Sequence, residues 1–359
     1  MWLTSFTMPN TVERSRKRCC IEFLCCTLLL LFFIPIRIKN LDEEEIQFQN
    51  YIATYNKSYN LSEYGERLKA FKHSLENIRQ LNLNKTSNTA KYGPTKYSDM
   101  LPQEFHELKL LPDVSNQLQR ILLPQYFNLN SDEDSSERIK QSVSRSIPEK
   151  VDWREKNVVT KVKSQQSCSA CWAFAAVGMI ESVNAIGSGK LQSLSVQNII
   201  DCAPFDGCDG GNVCALLSWM KRSKFVISKE SDYPLTLRNG KCRKMSTEGV
   251  HIHDFICKDF VGAEEQILYF LAVNGPVAVA INALSWQHYI GGTIQFHCDG
   301  NPSKLNHAVE IVGYDLTKDV PHYIVKNSWG EDFGDNGYLY VAIGKNMCGL
   351  AYEVAVAII

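Results

Sequence analysis

Cys171, His307 and Asn327 are residue types from which a nucleophilic site for acyl transfer can be built. A thiol of ordinary pKa is only a few per cent ionised at neutral pH, so a cysteine nucleophile needs a helix N-terminus and a neighbouring imidazole to hold it as thiolate. Cys171 heads the apolar run CWAFAAVGMI, with Ser167 and Ser169 just ahead as candidate N-caps, which predicts a first-turn position rich in free N–H groups. His307, 136 residues downstream in LNHAVEIVGYD, would pair with the thiolate and later hand its proton to a leaving amine. Asn327 in HYIVKNSWG can accept a hydrogen bond from that imidazole, fixing ring orientation and tautomer, with Trp329 covering the bond from water.

Plainer readings stand beside these. A histidine in an apolar run is ordinarily a satisfied core residue, and the downstream asparagine is what moves His307 toward catalysis. Cys168 and Cys171 also have the C-x-x-C spacing of a thiol–disulfide site or half a zinc site. No second pair of close ligands accompanies them and the surrounding pattern is not βαβ, so neither a metal nor another cofactor is expected.

To hold such groups the chain needs a buried helix and a set of strands. Trp172 to Ile180 is apolar on every side, which predicts a helix inside a domain. LSVQNIIDC (Leu194 to Cys202) and Cys214 to Arg222 read as further helices, so about 157–257 is a helical half. From about 258 to 350 short strand signals follow, PVAVAINA, HAVEIVGYD, HYIVKNS and GYLYVAI, with one helix at Ala263 to Val273, and this half reads as a small antiparallel barrel. The class is therefore α+β. With 359 residues and 45% hydrophobic content the chain can bury two or three cores. A net charge of −1, without a basic run interleaved with aromatics after residue 40, argues against a nucleic-acid partner. Nine of the 13 cysteines lie from Cys168 onward, which reads as disulfides around a free nucleophile and implies an oxidising secretory route.

The motifs QQSCSACWAF, LNHAVEIVGYD and HYIVKNSWG, with the opening IPEKVDWREKNVVTKVKSQQSC, resemble the papain-like cysteine proteases, the family of papain and the lysosomal cathepsins. The resemblance extends over nearly the whole chain after the N-terminal hydrophobic segment. It implies a helical left domain and a β-barrel right domain with a cleft between, preceded by a helical inhibitory propeptide. The implied activity is that of a cysteine endopeptidase made as a zymogen, with a thioester on Cys171 and His307 as acid and base. Gln165, otherwise a solvated loop residue, matches the family's oxyanion donor, acting with the Cys171 N–H. Gly210 and Gly211 in GCDGG let an extended substrate pair with the backbone, although the same residues make a plain turn. Implied disulfides are Cys168 with Cys208, Cys202 with Cys242 and Cys298 with Cys348, leaving Cys214 and Cys257 as free thiols or an additional bridge. Gln166 and Ser169 stand where the family usually has glycine. Glu353 in CGLAYEV falls at the base of the S2 pocket, where it would admit Arg or Lys at P2, against the plainer reading of a solvated residue near the C-terminus. The implied partners are peptide and protein substrates, the chain's own propeptide and cystatin-type inhibitors, in the lysosome or secreted.

The N-terminal part fits that route. Basic residues Arg14, Arg16, Lys17 and Arg18 precede FLCCTLLLLFFI, short of the ~20 residues of a membrane span, so 1–39 reads as a signal peptide. Arg37 and Lys39 keep a signal anchor as the rival, which alone would give a stable membrane association. Within 40–146, the propeptide by resemblance, Glu63, Arg67, Phe71, Ile78 and Asn82 keep to one helical stripe. Its plain reading is an amphipathic helix with Glu63 and Arg67 as an i,i+4 pair. The set resembles the first helix motif of papain-family propeptides, with Ser74 where Asn is usual, and Gly93, Thr95, Tyr97 and Asp99 resemble the second. Sequons stand at Asn56, Asn60 and Asn84. The charged, Ser-rich stretch 130–146 reads as a cleavable linker before a peptidase domain at 147–359.

Overall fold

The computed structural model describes residues 42–83, 89–111, 147–243 and 248–359, so the expected signal segment, the Asn84 sequon and the 130–146 linker lie outside the described residues. The chain divides into two units, one closing at Asn50 and one running from Tyr51 to Ile359. The first holds the start of α1 (Glu43–Thr54), where the Asp42 carboxylate accepts the Glu45 N–H at 2.7 Å and caps the helix.

In the second unit α2 (Leu61–Leu81) begins with a full capping box: the exposed Asn60 side chain accepts from the Ser62 and Glu63 N–H groups, and Glu63 reaches back to the Asn60 N–H. Glu63 is spent on the cap. Arg67 instead donates at 2.7 Å to Glu104 on α3 (Pro102–Lys109) and at 3.0 Å to the Asp99 carbonyl, so a tertiary ion pair takes the place of the expected i,i+4 pair. Phe71 and Ile78 of the predicted stripe are buried. Asn82 clamps β1 (Lys91–Tyr92), donating to the Tyr92 carbonyl at 2.7 Å and accepting its N–H at 3.2 Å. Asp99 gathers Tyr51, Lys57 and Tyr59 at 2.9, 2.8 and 2.7 Å. Ser74 is buried with its hydroxyl unpaired.

From Ile147 the elements are β2 (Lys150–Asp152), α4 (Cys171–Ser188), α5 (Val196–Cys202), α6 (Val213–Ser223), β3 (Asp254–Lys258), α7 (Glu264–Val273), β4 (Val277–Ile281), β5 (Tyr289–Gly291), β6 (Thr293–Ile294), β7 (His307–Asp315), β8 (His322–Lys326), β9 (Tyr338–Ala342) and β10 (Val354–Ile358). The fold is α+β. The main sheet runs β3-β10-β4-β7-β8-β9-β6, with β2 on β7, and every pairing in it is antiparallel except β6 with β9. It therefore extends past the predicted 258–350 limits at both ends, because β10 lies after them and its partner β3 mostly before.

Alternation along two strands divides the interior. In both β4 and β10, read VAVAI, the valines enter a core with Trp286, Trp329 and Tyr314, while Ala278, Ala355 and Ala357 enter a second core with α4. Ala308 of β7 joins them, so three neighbouring strands each offer α4 small side chains. Close approach follows, and α4 is buried through most of its length before Gly189 ends it at φ 69°.

A buried ion pair lies under this contact. Glu310 and Lys326 face each other across β7 and β8, 3.1 Å apart, with Ser182 of α4 donating to Glu310 at 3.0 Å and Lys326 donating to Thr160 at 3.1 Å. A Cβ on Gly178 of α4 would run into the Glu310 carboxylate. Lys326→Met strands a buried carboxylate, and we expect it to cost about 3 kcal/mol. Adding Glu310→Met should recover most of that loss. Thermal melting of the two variants checks this, and equal melting points for the single and double variants would contradict it.

Candidate active site

Cys171 is the first residue of α4, and the N-cap position belongs to Ala170, with no side-chain cap. The serines expected there do other things: Ser169 donates to the Leu110 carbonyl at 3.3 Å and Ser167 is exposed. A tertiary acceptor has outcompeted the local cap. The uncapped turn leaves the N–H groups of Cys171 and Trp172 bonding to the sulfur, joined by the N–H of Ala308 from the start of β7.

His307 is the first residue of β7 and is buried. Its Nε2 lies 2.8 Å from Asn327 Oδ1, and that same oxygen accepts the Ser328 N–H at 2.8 Å. The second bond settles which end of the amide faces the ring, so Nε2 carries the hydrogen and Nδ1 keeps its lone pair. That Nδ1 is buried and has no hydrogen-bond partner. Trp329 lies over the imidazole at 5.0 Å between centroids and is itself fully buried.

Gln165 is held on three sides: its N–H goes to the Ser328 carbonyl at 2.8 Å, its Oε1 accepts the Ser328 hydroxyl at 2.7 Å, and its Nε2 donates to the Cys168 carbonyl at 3.1 Å. Gln166 takes φ 49°, the conformation for which glycine is preferred, so its side chain is accommodated at a cost in strain. Ser169 shows no positive φ. Gly210, at φ 133°, needs to be glycine, and a Cβ on Gly211 would collide with the Trp172 indole.

The last residue of α3 and the two that follow it close this site. The Lys109 carbonyl accepts Gln165 Nε2 at 3.3 Å, Leu110 takes the Ser169 hydroxyl, and the Leu111 N–H donates to the Asn306 carbonyl at 2.7 Å. Lys109 Nζ donates to the Gln166 carbonyl, and burial pushes its pKa down to about 8. Tyr97 and Phe105 meet Trp329 edge-on at 6.0 and 5.4 Å. Under this cover burial pushes the Cys171 thiol up to about 12, outweighing the three N–H groups, and pushes His307 down to about 4 against the Asn327 bond. Thiol and imidazole are thus both neutral near pH 7 in the covered site, where the sequence led us to expect an ion pair. The difference is desolvation.

Glu353, read from the sequence as lining a substrate pocket or else solvated, is buried and accepts from Asn212 Nδ2 at 2.7 Å and from the Cys214 N–H. Burial raises its pKa to about 7. Disulfides join Cys168 to Cys208, Cys202 to Cys242, Cys298 to Cys348 and also Cys214 to Cys257, the pair the sequence left open. Cys171 is the free cysteine among the described residues, so the C-x-x-C spacing holds no dithiol. No group of three metal-ligating side chains occurs among the described residues. Sequence reasoning missed Ser328, Asn306 and Asn212. Each adjoins a motif residue, in NSW, NHA and GGN, and that adjacency was the available signal.

Residues 147–358 match the model of papain family cysteine proteases and residues 48–105 that of the cathepsin propeptide inhibitor domain. The chain is 38% identical to cathepsin O of Homo sapiens over 292 residues, 80% of this chain and 86% of that one. It is 34% identical to cysteine proteinase 1 of Dictyostelium discoideum, over 88% of this chain and 93% of the relative. Among solved structures it is similar to recombinant stem bromelain precursor (TM-score 0.72, 27% identity, 89% of this chain and 99% of that one). Digestive procathepsin L 3 of Tenebrio molitor larval midgut is similar too (TM-score 0.70, 29% identity, 88% and 99%).

Proposed function

This chain belongs to the papain family of cysteine proteases and carries a cathepsin-type propeptide inhibitor domain, and from that premise we propose a latent endopeptidase whose trimmed form cleaves peptide bonds through Cys171. The observation that carries the reading is the unpaired, buried Nδ1 of a ring whose Nε2 is committed to Asn327, next in the chain to the N–H that bonds the Cys171 sulfur. Nδ1 accepts the thiol proton as the sulfur adds to the scissile carbonyl carbon. The oxyanion is met by the Cys171 N–H and by Gln165 Nε2, once the Lys109 carbonyl has left that amide. His307 returns the proton to the amine as the C–N bond breaks, then takes one from the water that hydrolyses the thioester. Gly210 and Gly211 pair with the substrate backbone, and Glu353 sits at the P2 side chain.

The precursor boundaries we propose are a signal segment at 1–39, an inhibitory piece at 40–146 and the peptidase at 147–359; the family matches at 48–105 and 147–358 lie inside the second and third of these. Four disulfides support passage through an oxidising compartment and a lysosomal or secreted destination. No described helix is long and apolar enough to cross a membrane. Protein substrates, the propeptide and cystatin-type inhibitors are the proposed partners. The test is an epoxysuccinyl peptide added to acid-trimmed protein alongside a fluorogenic peptide assay. Covalent labelling at Cys171 with matching loss of hydrolysis is expected; an unlabelled, inactive protein would instead be a binding protein on the same fold.

A further inference from the structure

We propose that Asn212 is the positioning residue for Glu353 and so tunes the choice between basic and apolar P2 side chains; this rests on the reading of Glu353 as lying at P2. Asn212 has two tasks. Its Oδ1 caps α6, accepting the Ala215 N–H at 2.8 Å, and its Nδ2 donates to Glu353 at 2.7 Å. Because the cap demands the oxygen, the amide has one orientation available, and its NH₂ group must face the carboxylate. Both side chains are buried, so the bond is made away from water.

The surrounding chain holds the pair in place. The Cys214 N–H, in the first turn of α6, also bonds Glu353, while the Cys214 side chain is tied to Cys257 on β3. Cys257 pairs with Ala355 on β10, two residues beyond Glu353. The acid's partners are thereby tied covalently to β3, which in turn holds the strand that follows the acid by backbone hydrogen bonds. Charged groups are sparse around it. The first turn of α6 and all of β4 carry none, Lys221 and Arg222 lie in the last turn of α6, and β3 offers Lys258 opposite Val354. What sets the proton affinity of Glu353 is burial, which raises it, then Asn212 and the Cys214 N–H, which lower it.

The consequence is a pocket whose charge depends on pH. When Glu353 is protonated it favours an apolar P2 residue, and when ionised it favours Arg or Lys. Asn212 stabilises the ionised form, so the changeover lies at lower pH with Asn212 than without it.

The experiment is the ratio of kcat/KM for two peptides differing only in Arg or Leu at P2, measured with trimmed enzyme from about pH 5 to about pH 10, wide enough to hold the midpoints of every variant. In the unmodified enzyme that ratio should rise roughly tenfold as Glu353 ionises. Asn212→Ser keeps an oxygen for the cap and loses the amide donor, so the midpoint should move up by about one pH unit while the melting temperature holds. Asn212→Asp should move it further up, since a second carboxylate then faces Glu353. Glu353→Gln should flatten the profile. If Glu353→Gln flattens it but Asn212→Ser leaves the midpoint in place, the role of Asn212 is overturned and the P2 reading stands. If Glu353→Gln keeps the native profile, Glu353 does not meet P2 and both fall.

Discussion

Cys171→Ala in the trimmed enzyme is expected to lower kcat/KM by about 10⁵-fold or more, the scale seen when a nucleophile is removed from a protease triad. No other group can substitute: every other cysteine among the described residues is in a disulfide, and Cys171 alone has the N–H groups of Cys171, Trp172 and Ala308 around its sulfur. Cys171→Ser should lose nearly as much, because a hydroxyl is a far weaker acid than a thiol and Nδ1 of His307 is a modest base. Gln165→Ala should lose less, about 10²- to 10³-fold, since it removes one of two oxyanion donors and leaves the nucleophile intact. The order Cys171 before Gln165 is the informative outcome. It is read from progress curves on one peptide, with melting temperature confirming that each variant folds. Hydrolysis by Cys171→Ala within tenfold of the unmodified enzyme would end the mechanism.

Much of this arrangement was legible because the groups concerned are announced by local pattern. An apolar run without a polar face can only be a buried helix, and α4 is that; the VAVAI repeats can only split their side chains between two faces. What was illegible depends on partners distant in sequence. Ser169 has the local chemistry of an N-cap, yet its hydroxyl goes to Leu110, 59 residues earlier. Glu63 and Arg67 have the spacing of an ion pair, yet Arg67 goes to Glu104. Cys214 and Cys257 could be paired only once α6 was seen against β3. The neutral state of Cys171 and His307 was hidden for the same reason, because it comes from residues 109–111 closing the site rather than from anything next to either group.

That closure must be undone, and two buried imidazoles are expected to set the pH at which it opens, His307 in the site and His288 beside it. Thr95 and Gly93 bond the Gln287 and His288 carbonyls at 2.6 and 2.9 Å, β1 pairs with β5, and the Ser98 hydroxyl meets His288 Nδ1 at 3.2 Å. The other ring nitrogen is buried and unpaired, and burial, with a smaller push from the charge of His73, lowers the pKa of His288 to about 4. Once the propeptide leaves, the ring returns toward its usual 6.5. The docked state therefore binds the proton less well than the released one, so docking is at full strength above about pH 6.5 and weakens as pH falls toward 4. At pH 5 the shift is worth about 30-fold in the docking equilibrium. Asp99 has the same sense in a lower window. Burial raises its pKa, but the bonds from Lys57, Tyr59 and Tyr51 more than offset this and hold it below 3.8, so its contribution survives until the pH is lower still. Lys109, shifted down to about 8 from the usual 10.4, changes charge above the same window. Between pH 4 and 6.5 His288 titrates in the same window and with the same sign as His307, which the closed site also holds at about 4. His288→Gln keeps a partner for Ser98 and never charges, so its precursor should convert about 30-fold more slowly at pH 5, with conversion moved toward lower pH. Gel-resolved conversion from pH 4 to 7, together with the peptidase rate of each trimmed protein, checks this. An unchanged conversion profile in His288→Gln would show that the latch is released by some other group.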